Sequence, residues 1–469
     1  MDTPAPQTDP DRETVEPPAS EPPPDTTAVS RFFGLSKRGT TVRTEVLAGF
    51  TTFLTMSYIL FVNPNILRDA GMNPEGVFLA TALASAFGCL LMGLYANLPF
   101  ALAPGMGVNA YFAYTVVAQK GISWQTALAA VFFDGVLFLI LSLLPIRERV
   151  FREIPYNIKV ATAVGIGLFI TFIGLKNGGL IVHQPVTLVQ MGDLHVPSVL
   201  LTLTGLVIAV GLMARRVKGA LLWAILATTV LGLFVPGPEG GVVTSLPEQG
   251  IFAVPRLETF NTVAGQLDLA SALTMGVVMV IFTFTFVDLF DSAGTLIGLA
   301  IKLGWLDRER QTFPEIKRAL VVDSVAASFG AVVGTSTTVT YIESASGISE
   351  GGRSGLTAVV VGLLFLCSLV LAPLAAMVPE EATAAVLVIV GFLMVESVLH
   401  LRFDDFTEAF PAFLTMVMMP LTYGIAKGLI FGILSYVLLK LLTGRVREVG
   451  ATTWVLAVLF LWALVVGAA

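Results

Sequence analysis

Apolar residues run through this chain in blocks of about 17–25, the length that carries a helix across a bilayer. Along the 469 residues the blocks fall near 45–63, 76–95, 104–119, 125–144, 158–174, 198–213, 219–235, 270–301, 316–334, 335–350, 354–377, 383–399, 406–422 and 424–442. They predict an all-α polytopic membrane protein of about fourteen spans, several of them short or broken by Gly and Pro. Basic clusters lie between the blocks: "RFFGLSKRGTTVR" at 31–43, "IRERVFREIPYNIK" at 146–159, "ARRVKG" at 214–219, "IKLGWLDRERQTFPEIKR" at 301–318, "LRF" at 401–403 and "TGRVR" at 443–447. With the spans counted in this way, every cluster falls on the side of the N-terminus. The positive-inside rule then puts the N-terminus in the cytoplasm and the long polar loop 236–266 outside. One more apolar run, "WVLAVLFLWALVVGAA" at 454–469, either spans or packs against the bundle. The pattern leaves both open.

Two blocks do not read as ordinary spans. One is "APGMGVNAYFAY" at 103–114, the other "TTVTYIESASGISEGG" at 337–352. Both begin with Gly or Pro punctuation or β-branched alternation, and each stands third in its half of the chain. Interrupted segments at matching places in two halves are the mark of an inverted-repeat transporter, with its site where the interruptions meet. Non-helical backbone survives at membrane depth only where protein buries it or a cavity hydrates it. A short antiparallel pair formed by the two segments would satisfy their backbone and aim two half-helix N-termini at whatever lies between.

Composition agrees: 55% hydrophobic residues, 13% charged residues and a mean hydropathy of +0.84, where a soluble domain carries about 25% charge. The first thirty residues are the exception. They are acidic, rich in Pro and poor in apolar side chains, and so are expected to be disordered. They lack the basic and apolar regions of a signal peptide, so the first span must act as the insertion signal. Cys89 and Cys367 lie inside apolar runs and read as small core residues rather than a disulfide or metal site. His183, His195 and His400 are scattered and show no zinc spacing.

Ionisable groups inside a bilayer are costly, and few occur here: Asp134, Asp288, Asp291, Asp323, Glu343 and Glu396, with Lys176 near a helix end. Asp288 and Asp291 share one helical face, which Gly294 and Gly298 continue. Two carboxyls so close cannot both ionise cheaply, so one should hold a proton. That suits a proton carrier, though two helix-packing acids would look the same. Glu343 follows Tyr341 where a strand-like stretch gives way to a half-helix. It reads as a ligand contact or proton site, or as an acid stabilising the half-helix dipole. Asn109 lies in the other interruption and reads as a ligand contact or a cap. Asp134 and Asp323 lie one helix after and one helix before the interruptions and read as structural support bonded to the broken segments. Glu396 and Lys176 read as solvated or snorkelling.

Two carboxylates, an amide and aromatic rings suit a flat, uncharged molecule with ring N–H donors. Several carboxylates and no evident cation cage favour protons over sodium as the coupled ion. No Lys or Arg stands at membrane depth near the interruptions, which disfavours an anion exchanger on the same architecture. An intramembrane aspartyl enzyme is a further alternative, but its two acids normally come from separate segments. A passive channel is another, separable by lack of accumulation.

The stretches "EVLAGFTTFLTMSYILFVNP", "APGMGVNAYFAY", "FVDLFDSAGTL" and "TYIESASGISEGGRSGLTA" together resemble the adenine–guanine–hypoxanthine (AzgA-like) branch of the nucleobase/ascorbate transporter family. The resemblance runs from about residue 31 to the C-terminus. It implies two inverted seven-span repeats, with short antiparallel strands in the third and tenth spans. A core domain would come from spans one to four and eight to eleven, and a gate domain, which usually makes a homodimer contact, from the rest. The chain would then divide into a tail (1–30), a first repeat (31–235), an extracytoplasmic loop (236–266), a second repeat (267–443) and a C-terminal hydrophobic segment (444–469). Carried over by motif, Glu343 and Asp288 bind substrate with Asn109 as third polar contact, and Tyr341 stands beside them. Asp288, Asp291 and Glu343 serve proton coupling. The implied activity is proton-driven uptake of a purine nucleobase across the cytoplasmic membrane. No cofactor is implied beyond the proton gradient, and neither catalysis nor a nucleic-acid partner is expected.

Overall fold

A computed structural model of the chain describes residues 27–144, 153–237, 241–246, 250, 252–306 and 313–466. Residues 1–26 of the acidic tail, and parts of the basic clusters at 146–159 and 301–318, lie outside the described residues. The last tail residues open a short helix, Ala28–Phe33, whose first turn is capped by the Thr27 side chain.

Nine helices among the described residues are long and apolar enough to cross a membrane. They are TM1 (Val42–Arg68), TM2 (Pro74–Ala96), TM4 (Trp124–Leu143), TM5 (Tyr156–Asn177), TM6 (Pro197–Ala214), TM8 (Gly276–Leu303), TM11 (Gly355–Met377), TM12 (Glu380–His400) and TM14 (Ile425–Leu442). Shorter apolar helices form TM7 (Ala220–Gly232) and TM13 (Phe406–Leu421), and the less apolar helix Ile316–Val333 forms TM9. TM3 and TM10 are the interrupted segments. TM3 is a strand, β1 (Leu102–Pro104), followed by helical turns Met106–Ala110 and Tyr111–Gln119. A hairpin of β2 (Ile181–Gln184) and β3 (Leu188–Met191) carries His183 between TM5 and TM6. TM10 is β4 (Thr338–Thr340) followed by the helix Ser344–Ser349. The third and tenth segments thus hold the strands that the alternation of Thr and Val and the Pro–Gly punctuation predict. The expected span at 270–301 begins later, at Met275, after a separate turn, Leu269–Ala272.

The segments sort into two packed bodies. TM1 and TM2 pack on TM11, and TM4 packs on TM8 and TM9. TM5 packs on TM12 and TM13, TM6 on TM7 and TM12, and TM13 on TM14. These are the core and gate of a fold with two inverted seven-segment repeats. Each body is pinned where two backbones touch. A Cβ on Gly355 would lie 2.0 Å from the Gly93 carbonyl oxygen in the core, and one on Gly391 2.4 Å from that of Gly167 in the gate. Only glycine permits approach this close. Cys89 is buried in TM2, whereas Cys367 is exposed on TM11 and is no core residue. The terminal apolar run is a helix, Ala451–Val466, packed on TM14. Its Phe460 meets Phe282 and Phe286 of TM8 edge-on.

One end of the gate is held by charge. The Lys440 side chain at the end of TM14 is wholly buried, 3.0 Å from Glu408 and 2.7 Å from Glu448. Arg445 pairs with Asp405 at 2.7 Å and with Glu448 at 2.8 Å. The Thr407 hydroxyl, with Arg445, lowers the Asp405 carboxyl to about 2. Arg445 and then Lys440 lower Glu448 to about 2. Both values lie below the unfolded ones of about 4. Their contribution to stability is therefore complete above about pH 4 and is lost as pH falls through about 2. The melting temperature of the detergent-purified protein should accordingly fall as pH drops from about 4 to about 2, and less steeply in Asp405→Asn. Equal slopes for the two proteins would remove this cluster from the account.

Candidate binding site

The site grows from the strand crossing. Thr338, Val339 and Thr340 are β-branched and favour extended backbone, and Pro104 ends its partner strand. β1 and β4 run antiparallel, with Leu102 opposite Thr340, Ala103 opposite Val339 and Pro104 opposite Thr338. Gly105 N donates to Thr337 O at 3.0 Å and Tyr341 N to Ala101 O at 2.9 Å, which extends the ladder at both ends. Side chains satisfy the outer edge of β1. Leu102 N donates to Cys89 Sγ at 3.1 Å, and Ala101 N to Ser344 Oγ at 2.9 Å. The crossing thus meets the requirement for paired backbone at membrane depth.

Two acids bracket β4. Before it, Thr337 Oγ1 donates to Asp288 Oδ2 of TM8 at 2.6 Å, and Asp288 is fully buried. After it, Glu343 is half-buried and opens the helix Ser344–Ser349 without capping it. That helix has six residues, so its dipole is small and the side chain is free for other work. Glu343 Oε1 accepts from Tyr58 Oη at 2.6 Å. Tyr58 stands at the break in TM1 between the helices Val42–Met56 and Ile59–Arg68. Asp291, one turn past Asp288, lies within electrostatic reach of Glu343 and beside Gly105 at the end of β1.

The other expected site residues are engaged within the protein. The Asn109 amide donates to Asn63 Oδ1 at 2.6 Å and accepts from the Ser336 hydroxyl. Asn63 in turn donates to Thr81 and Thr335, at 2.7 and 2.8 Å. Asn109 therefore ties TM1 to the entry of β4. The Tyr341 hydroxyl donates to the Pro104 carbonyl, across the strand pair. Asp323 accepts from Thr340 Oγ1 at 2.7 Å and so supports β4 through a side chain. Asp134 lies against Asp288 and Thr285 of TM8 instead of either broken segment, because TM4 packs on TM8. Lys176 is exposed near the rings of Tyr114 and Tyr423. Tyr58, Asn63 and Thr337 were not singled out by sequence. The only hint of the first two is polar side chains within an apolar span, "SYILFVN".

No ion pair involves Asp134, Asp288, Asp291 or Glu343 among the described residues. Two interrupted segments, third and tenth in the chain, that cross as strands against TM2, TM8 and TM9 are the architecture of a membrane transporter of the inverted-repeat class. A model of a permease family matches residues 43–431, and the chain belongs to that family, the nucleobase/ascorbate transporters. It is 46% identical to the adenine permease AdeP of Escherichia coli K12, over 93% of this chain and 96% of that protein. It is 44% identical to the guanine/hypoxanthine permease PbuG of Bacillus subtilis, over 92% of this chain and 98% of that protein. The transmembrane domain of the cyanobacterial bicarbonate transporter BicA shares the fold, with a TM-score of 0.62 at 17% identity over 83% of this chain and 97% of that one.

Proposed function

We propose that this protein takes up purine nucleobases together with protons across the cytoplasmic membrane, by alternating access of the core against the gate. The observation that carries the reading is the pair of carboxylates, Asp288 and Glu343, at the two ends of β4. A carboxylate accepts two parallel hydrogen bonds from adjacent N–H groups, which guanine offers as its N1–H beside the exocyclic amine; hypoxanthine offers the N1–H alone. Glu343 holds that edge, and Asp288 takes the opposite edge or the coupling proton. Asp291 adds charge nearby, while Asn109 and Tyr341 keep the crossing in shape. Relatives named as adenine and guanine/hypoxanthine permeases favour the same substrate class. An anion such as bicarbonate, moved by a protein of like fold, would meet acids here and no paired base. The basic clusters favour a cytoplasmic N-terminus, the two repeats take residues 31–235 and 267–443, and the gate supplies a homodimer contact.

The test is uptake of labelled hypoxanthine, adenine and guanine in cells stripped of their own purine carriers, with a panel of unlabelled purines and pyrimidines as competitors. Saturable uptake abolished by a protonophore is expected. Absence of purine uptake by a protein that reaches the membrane would overturn the reading. Tyr58→Phe removes the donor that aims Glu343. A hydrogen bond to a charged group contributes about 1.5–3 kcal/mol, so the KM for the transported base should rise at least about tenfold. An unchanged KM would mean that Glu343 needs no such support.

A further inference from the structure

Asp134 sits in TM4 with no exposed surface, and its carboxyl faces that of Asp288. Apart from each other, neither oxygen of Asp134, nor Oδ1 of Asp288, has a donor among the described residues. Thr285, beside Asp134, donates its hydroxyl hydrogen to the Ile281 carbonyl at 3.0 Å and offers only lone pairs. Oδ2 of Asp288 is held by Thr337. The other acids of the region are Asp291 on the same helix, Asp323 bonded to Thr340 on TM9's side, and Glu343 bonded to Tyr58. Two carboxylates in contact, buried and without a cation, cannot both be ionised. One proton between them supplies the missing donor.

We propose that Asp134 is the second half of the proton site, sharing with Asp288 the single proton that travels with the substrate. This deepens the proton-coupled reading and rests on it. When an N–H of the base reaches Asp288, the O–H bond on Asp288 breaks and one on Asp134 forms. The pair keeps one proton and one negative charge, and Asp288 meets the base as a carboxylate. After the base leaves and water of the receiving side hydrates the pair, the proton passes from Asp134 to that water, and the pair takes up a proton from the opposite side before the next base binds. Thr337 donates its hydroxyl hydrogen to Asp288 and receives the Gly105 N–H on its own carbonyl, so the proton state of the pair is felt at the strand crossing.

The decisive variant is Asp134→Asn, which keeps the shape and can donate an N–H to Asp288 but cannot release a proton. In proteoliposomes it should still exchange labelled for unlabelled hypoxanthine, though more slowly. It should lose accumulation driven by an inside-alkaline gradient. The infrared carbonyl band of a protonated carboxyl, present in the purified wild type at neutral pH, should disappear. Gradient-driven accumulation by Asp134→Asn with the wild-type pH profile overturns the proposal. So does loss of exchange in a folded variant, because Asp134 then serves binding or structure. Should the Asn variant fail to reach the membrane, Asp134→Glu decides: it should accumulate hypoxanthine with a displaced pH profile, and an undisplaced one overturns the proposal. Wild-type uptake indifferent to gradient and protonophore would instead sink the symport reading itself. The infrared arm would still report on the shared proton.

Discussion

Glu343→Gln should reduce purine uptake to background while leaving the protein in the membrane. The carboxylate accepts in both directions, from Tyr58 on one side and from the base on the other. An amide of the same shape presents one acceptor and one donor, so an N–H of the ligand then faces an N–H of the protein. One charge-assisted bond of about 1.5–3 kcal/mol is lost, and the opposed, unpaired donors cost about 1–3 kcal/mol each. Together these correspond to a loss of at least about 10²-fold in affinity. The fold should hold, because Glu343 makes no capping bond to the helix it opens and no ion pair among the described residues. Direct binding of labelled hypoxanthine to detergent-purified protein checks this without depending on transport. Binding within threefold of the wild type would remove Glu343 from the site.

Some of this was legible in the sequence and some was not, for a physical reason. Period and punctuation act within a segment. The Thr–Val alternation at 337–340 and the Pro–Gly pair at 104–105 therefore revealed two strands where helices would otherwise stand. The cost of an acid in a bilayer drew attention to Asp288 and Glu343 before any contact was visible. Partners act between segments, and no periodicity encodes them. Glu343 looks solitary in the sequence because its donor, Tyr58, is 285 positions away. Asn109 looks like a free ligand contact because Ser336, its donor, is 227 positions away. Asp134 appeared to support the nearest broken segment, yet helix packing turns it to TM8. The i, i+3 spacing places Asp291 beside Asp288 on one helix, but no spacing within that helix could reveal Asp134, which reaches Asp288 from another helix.

Glu45 is the sharpest case of a residue that its local context misrepresents, and its removal should cost more stability than any other change considered. It stands in the first turn of TM1 behind the capping Thr41, where an acid ordinarily complements its own helix dipole. In the fold it is fully buried and caps a different helix. It accepts from Arg353 N at 2.8 Å, Ser354 N at 3.3 Å, Thr357 N at 3.2 Å and Thr357 Oγ1 at 2.5 Å. These are the orphan donors at the start of TM11. Asn97, at the end of TM2, accepts from Gly355 N at 2.8 Å, so TM1 and TM2 both bind the start of TM11. Glu45→Ala leaves several buried donors unpaired at about 1–3 kcal/mol each. The loss should total about 3–5 kcal/mol, in the range of breaking a buried charged pair. Glu45→Gln keeps one acceptor oxygen and should recover part of it. Thermal unfolding in detergent, followed by the fraction of monodisperse protein after heating, should rank wild type above Gln and Gln above Ala. An Ala variant that melts with the wild type would show that the Asn97–Gly355 bond and the Gly93–Gly355 backbone contact hold this end of TM11 without Glu45.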